Sequence, residues 1–315
     1  MESIARDVTV QKVSYPHGQH HVVGNLFLSA NFDTAKKYAA IVVTHAFGSV
    51  KEQSPAVYAR KLAEQGFIAL AYDASHYGES GGEPRLYEVP GDRVEDIRCG
   101  VDYLSIHPQV DEHRIGALGI CAGGGYTVNA AQTEYRINAV ATVSAFDVGS
   151  ARREGVPRGL ITYEQRVQRL KDIGAQRTRE ARGEPLRFIN FVPTSVAEIT
   201  PATPQLYREG YDYYCTPRAQ HPNAPGKYVF TSLGLQMAFF PFEQVETISP
   251  RPLLMIAGSE ADTRYFSEEA IAKAKDPKEL FVIPGATHID LYDKPQFVTP
   301  AVAKLTDFFG KALKA

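Results

Sequence analysis

Tryptophan is absent from the 315 residues, and cysteine occurs only three times. An odd, small number of thiols in a chain this long excludes a disulfide framework and fits a reducing, cytoplasmic setting. Charge of one sign is lacking too: 34 Lys and Arg stand against 36 Asp and Glu, a formal net charge of −2. Such a balance carries no electrostatic footprint for nucleic acid or for an anionic membrane surface. No apolar run approaches the roughly 18 residues that a bilayer span needs, and the opening MESIARDVTV has no apolar signal-peptide core. What is present is 44% hydrophobic and 22% charged residues, which suits a chain with a sizeable buried core and excludes disorder and coiled coil. The length allows two domains or one large α/β domain with an insertion.

The pattern of apolar runs selects the second option. Residues Val8–Tyr15 and Val22–Leu28 read as strands around the turn Pro16-His17-Gly18, an opening hairpin. From Tyr38 the texture alternates. Strands are expected at Tyr38–Thr44, Phe67–Tyr72, Arg114–Ile120 and Ile137–Ser144, with helices at Ser54–Gln65, Asp92–His107 and Ala122–Gln132 between them. The rhythm resumes with strands at Leu253–Gly258 and Glu279–Ile283 and a helix from Val298 to about Leu313. Continuous apolar strands separated by helices predict the α/β class, with a mostly parallel central sheet flanked by helices. Residues 1–146 and 251–315 form the expected core, and 147–250 an inserted cap or lid over its functional edge. The first part of the insertion is basic, with ten Arg or Lys against five Asp or Glu from Ser150 to Arg187; the second is rich in Tyr, Phe and Pro.

The chemistry concentrates in Gly119-Ile120-Cys121-Ala122-Gly123-Gly124-Gly125. A buried strand runs into a glycine-rich bend and a helix starts at once, the G-x-S-x-G nucleophile elbow with cysteine in place of serine. Free N–H groups and the positive end of a helix dipole stabilise a thiolate there. A structural cysteine beside a tightly packed helix would suit the same pattern. A reactive thiolate needs a base, and the base an orienting acid. His288, in the loop PGATHID after one late strand, is the candidate base; Asp262, in GSEADT after another, is the candidate acid, with Glu260 as its rival. The backbone N–H of Ala122, with that of Ala46 or Phe47 from His45-Ala46-Phe47-Gly48, would form an oxyanion hole.

Other residues carry less. His45 shapes its own loop. Lys51-Glu52-Gln53 is either a solvated helix start or a charged cluster that tunes the thiol. His76, in DASHYGESGG, lines the cleft or serves the turn, and Tyr213, Tyr214 and Phe239 of the insertion are candidates for substrate contact. His20-His21 falls in the hairpin, away from any metal site; no zinc spacing occurs elsewhere, and the glycine frame is not that of a dinucleotide fingerprint. No metal and no organic cofactor is expected. Cys99 and Cys215 read as inert.

Taken in order, HAFGSVKEQ, YDASHYGESGG, GICAGGGY, GSEADT and GATHIDLY resemble an α/β hydrolase over nearly the whole chain. The cysteine elbow is similar to that of dienelactone hydrolase, with its Cys-Asp-His triad, and the full set of blocks resembles bacterial α/β hydrolases related to fungal polyketide transferases. The resemblance implies the α/β-hydrolase fold, Cys121 as nucleophile, His288 as base and Asp262 as acid. It departs from the compact dienelactone hydrolase in the long insertion. The expected activity is cleavage of an ester, lactone or thioester through a thioester acyl-enzyme, with an apolar acyl pocket under the lid. An acyltransferase using the same intermediate, or a hydrolase-like binding protein without turnover, are the alternatives. The expected partner is a small acyl substrate, with no nucleic acid and no membrane; a homo-oligomer is compatible with the sequence.

Overall fold

The computed structural model describes residues 8–314. Strands β1 (Thr9–His17) and β2 (His20–Leu28) form the opening hairpin, whose ladder runs up to the pair His17 and His20. β3 (Tyr38–Thr44), α1 (Ser54–Glu64), β4 (Ile68–Tyr72), α2 (Pro90–Ser105), β5 (Val110–Ile120), α3 (Ala122–Thr133) and β6 (Ile137–Val143) then alternate. β3 and β4 are apolar almost throughout because helices cover both faces of the sheet. β5 starts four residues before its apolar stretch: polar residues 111–114 stay in the strand past an irregularity where it pairs with β3.

Between β6 and the next strand of the sheet come α4 (Val148–Glu154), α5 (Tyr163–Ala181), β7 (Phe188–Asn190), α6 (Gln205–Cys215), β8 (Lys227–Val229) and α7 (Leu233–Met237). β7 and β8 make a small antiparallel ribbon of their own. The chain returns to the sheet with β9 (Leu253–Gly258), α8 (Arg264–Lys273), β10 (Lys278–Ile283), α9 (Asp290–Asp293) and α10 (Pro295–Ala312). α10 begins three residues before the expected Val298 because proline at its first position suits a helix start.

The eight-stranded sheet has the order β1-β2-β4-β3-β5-β6-β9-β10, parallel from β4 to β10, with β1 and β2 antiparallel at one edge. β6 and β9 are neighbours, so the long intervening segment leaves and re-enters the sheet at adjacent strands. In such sheets loops at the carboxyl ends of the strands gather in one crevice, and residues 45, 121, 144, 259 and 288 all follow those ends. Gln53 Nε2 donates to Ala219 O at 2.7 Å, and Arg218 pairs with Asp293 at 2.6 Å, so residues 218 and 219 tie the intervening segment to the core. No helix among the described residues is long and apolar enough to cross a membrane.

Candidate active site

At the end of β5 the chain must turn sharply to start α3. Glycine makes the turn possible: a Cβ on Gly123 would stand 2.5 Å from Thr44 O, and one on Gly119 would overlap the carbonyl of Gly123. Cys121 sits at the bend with φ +55°, in the left-handed region that costs a non-glycine residue about 1–3 kcal/mol. The bend aims its side chain into the crevice at 6% exposure. Burial pushes the thiol pKa up; the Tyr292 hydroxyl, the backbone N–H groups of Ala122 and Phe47, and the charge of Arg93 act in the opposite direction by stabilising a thiolate. Of the two loop residues expected to donate, it is Phe47 whose N–H favours the thiolate. Ala46 contributes its carbonyl, which accepts from Ser49 N at 3.2 Å and from His45 Nδ1 at 2.7 Å.

His288 is also enclosed, 1% exposed, and burial lowers its pKa to about 3, so the imidazole is neutral. Ser144 Oγ donates to its carbonyl at 3.0 Å. The side-chain partners differ from the expected triad in two places. Nε2 lies 3.2 Å from the Tyr292 hydroxyl, which also favours the thiolate of Cys121, so the phenol acts on both imidazole and thiol. Nδ1 lies 2.5 Å from Thr263 Oγ1, so a hydroxyl stands where a carboxylate was expected. Asp262, one residue earlier, is turned away: its Oδ2 accepts from Leu206 N of α6 at 3.0 Å. Its Oδ1 is buried without a partner among the described residues, and burial raises its pKa. Glu260 is exposed and accepts from Ser259 Oγ at 3.0 Å.

Above the thiol lies a small pocket of about 40 Å³, walled by Phe47, Phe146, Leu206, Tyr214, Ile289 and Tyr292 among others. It shares Arg152, Phe191, Val192 and Tyr207 with a neighbouring cavity of about 890 Å³ lined by the segment between β6 and β9. Of the four residues expected to touch substrate, only Tyr214 lines the pocket. Tyr213 is buried behind it, edge-on to Tyr214 and Tyr292 with ring centroids 4.9 and 5.1 Å away. Phe239 packs on Tyr126 at 5.4 Å. His76 bonds Pro84 O at 2.9 Å and Asp92 at 3.0 Å and serves its own turn.

Lys51 matches neither expectation for its cluster. It is 1% exposed and bonds Glu52, Asp73 and Glu79 at 2.6–2.8 Å, a buried tie between loops rather than a solvated charge or a neighbour of the thiol. His45 is neutral, depressed by burial and by Arg93, and its Nε2 accepts from Ala74 N at 3.0 Å. Three site residues escaped the sequence reading. Tyr292 stands four residues after His288, in the short helix α9 that follows it, a spacing that could have found it. Thr263 was hidden beside the more conspicuous Asp262. Arg152 was one of ten basic residues.

Comparison with known proteins agrees with this architecture. The model of the dienelactone hydrolase family matches residues 27–153. YcjY of Escherichia coli is 37% identical over 306 residues, 96% of this chain and 99% of that protein. The crystal structure of PA2218 from Pseudomonas aeruginosa superimposes with a TM-score of 0.91 at 36% identity, covering 99% of this chain and 95% of that one. GrgF of a Penicillium species, named a polyketide transferase, is 25% identical over 82% of this chain and 84% of its own. Its structure shares the fold with a TM-score of 0.79, covering 97% of this chain and 99% of that one. These likenesses support hydrolase or transferase chemistry on an α/β-hydrolase fold, and they establish that the chain belongs to one family with YcjY and PA2218, with its residues 27–153 matching the dienelactone hydrolase family.

Proposed function

We propose that the protein is a cysteine-dependent acyl hydrolase acting on an ester, lactone or thioester. The observation that carries the reading is the Cys121 thiol at a strained bend, with two backbone N–H groups and a phenol directed at it. In the proposed reaction the thiol proton passes to His288 Nε2 through the Tyr292 hydroxyl, which accepts from sulfur as it donates to nitrogen. The thiolate adds to the substrate carbonyl, and Ala122 N–H and Phe47 N–H hold the oxyanion. Collapse breaks the bond to the leaving group, which takes the proton from His288 and departs. A thioester of Cys121 remains. Water, deprotonated by the same histidine, attacks this thioester and releases the acid and the free thiol.

In the tautomer this path requires, His288 donates its Nδ1–H to Thr263 Oγ1 and keeps Nε2 free to take the proton. Asp262 is the proposed acid: it comes to the imidazole when Leu206 N–H gives up its carboxylate. The segment 147–250 acts as the lid. The pocket walls are mostly aliphatic and aromatic, with Arg152 their charged side chain, which suits an aliphatic or aromatic acyl group. Arg152 donates from Nε to Gln236 Oε1 at 2.9 Å and lies 4.7 and 5.3 Å over the Phe47 and Tyr228 rings; no carboxylate pairs with it among the described residues. It gives the acyl chain an anchor for a negative end.

The test is turnover of p-nitrophenyl acyl esters with mass spectrometry of the trapped protein. An acyl adduct on Cys121 and loss of turnover in Cys121→Ala, with the fold retained, are expected; an unchanged rate in that variant defeats the assignment. Acyl transfer is the second reading, favoured by the tightness of the pocket. At about 40 Å³ it has room for only a few waters, each needing roughly 10–15 Å³. Added alcohol or amine acceptors then yield transfer product in excess of free acid.

A further inference from the structure

We propose that the tip of the β1–β2 hairpin is a binding site for a divalent late transition-metal ion, Zn²⁺ by its donor chemistry, held by His17, His20 and Asp96. One donor atom from each residue lies within 4.8 Å of the other two. His17 ends β1 and His20 opens β2, so the ladder sets them opposite each other, and Asp96 meets them from the inner face of α2. His17 Nδ1 and Asp96 Oδ1 are 2.8 Å apart, a hydrogen-bond distance that must open to about 3.3 Å for two ligands of a tetrahedral ion with bonds of about 2.0–2.1 Å.

The three donors also converge on one point. Ser75 Oγ lies there, 2.9 Å from His17 Nδ1, 2.7 Å from His20 Nε2 and 2.6 Å from Asp96 Oδ1. A cation takes this space when the Ser75 side chain turns aside, His17 and Asp96 part by about half an ångström and the donors close to about 2.0–2.1 Å, and a water or Ser75 Oγ completes four-coordination. Asp96 is already oriented: it is wholly buried, and its Oδ2 accepts from Ser75 N at 2.8 Å. That contact does for the ligand what outer-shell hydrogen bonds do in metal centres. Two imidazoles and one carboxylate suit Zn²⁺. Mg²⁺ and Ca²⁺ prefer all-oxygen shells.

None of the three residues lines the pocket over Cys121, so the ion is structural. It staples the edge hairpin of the sheet to α2, and because it binds the fold and not the separated ligands, it stabilises by mass action. As a hydrogen-bonded cluster alone, the same residues would bind no ion.

Calorimetric titration of the full chain, stripped with EDTA and desalted, with ZnCl₂ near neutral pH separates the two. One equivalent is expected to bind saturably and to raise the melting temperature. Affinity should fall at least tenfold in His20→Ala and in Asp96→Asn and stay unchanged in His113→Ala, an exposed histidine on β5. Co²⁺ should give visible absorption bands that His20→Ala abolishes. Absence of saturable Zn²⁺ binding, or binding equal in His20→Ala and the parent, overturns the site. Should Asp96→Asn fail to fold, His20→Ala decides, since His20 is only partly buried.

Discussion

Removing one oxygen atom, in Tyr292→Phe, tests the proposed proton path directly. The ring is held independently of its hydroxyl, edge-on to Tyr213 at 5.1 Å and to His288 at 5.7 Å, so the variant should keep the fold. The stability cost is that of one buried hydrogen-bonding group, about 1 kcal/mol, or roughly 2–4 °C in melting temperature for a protein of this size. The catalytic cost is larger, because the hydroxyl bonds His288 Nε2 and also favours the thiolate of Cys121. Loss of a positioned proton-transfer group lowers rates by about 10²–10⁴-fold. The loss should appear in the acylation burst with a p-nitrophenyl ester. It should also appear in alkylation by iodoacetamide: burial already raises the thiol pKa, the phenol opposes that rise, and so the variant should need still higher pH to react. A burst rate within threefold of the parent together with an unshifted alkylation profile would refute the relay and leave Tyr292 a packing residue.

The acid is settled by a pair of variants. Asp262→Asn should slow turnover by orders of magnitude while Thr263→Val costs about tenfold or less; the reverse order assigns the histidine's support to the threonine hydroxyl. His288 makes stability pH-dependent: its folded pKa of about 3 lies below the ordinary 6.5, so the unfolded chain takes up the proton first. Stability present above that ordinary value therefore drains as pH falls toward the folded one, by up to about 1.4 kcal/mol per pH unit. The urea midpoint should fall less between neutral and mildly acidic pH in His288→Gln than in the parent, and parallel slopes would contradict this. Arg152→Gln should cut kcat/KM by about 10–100-fold for acyl esters ending in a carboxylate and by less than threefold for uncharged esters of equal length; equal losses would make the guanidinium a structural group.

The sheet was legible because its strands are buried on both faces. YAAIVVT and IALAY can scarcely be anything but covered strands, and the helices between them leave little freedom in topology. Ends were misjudged where another force overrode the apolar pattern. β5 keeps a polar start because Tyr38 pairs with Val110, a long-range contact invisible to local periodicity, and α10 takes its beginning from the geometry of proline. In the segment between β6 and β9 the local signal was composition alone. Its aromatic residues divide between pocket wall and interior packing, and Tyr213 and Tyr214 are adjacent in sequence yet fall on opposite sides of that line.

At the site, sequence could place the residues that depend on the backbone. Cys121 is fixed by a bend that only glycine-flanked chain can make, and Phe47 and Ala122 contribute main-chain groups that any residue would carry. Side-chain pairings were out of reach, since they are choices among neighbours a few ångströms apart. Asp262 and Thr263 are consecutive, and both lie in the loop after β9. The hydroxyl meets the imidazole because Leu206, 56 positions away on α6, offers its N–H to the carboxylate. The partner of His288, the proposed base, is thus decided here by a contact with the inserted segment, the part of the chain with the weakest sequence signal. Local motifs can name a candidate nucleophile and a candidate base, but the electrostatic state of that histidine depends on how the segment is seated.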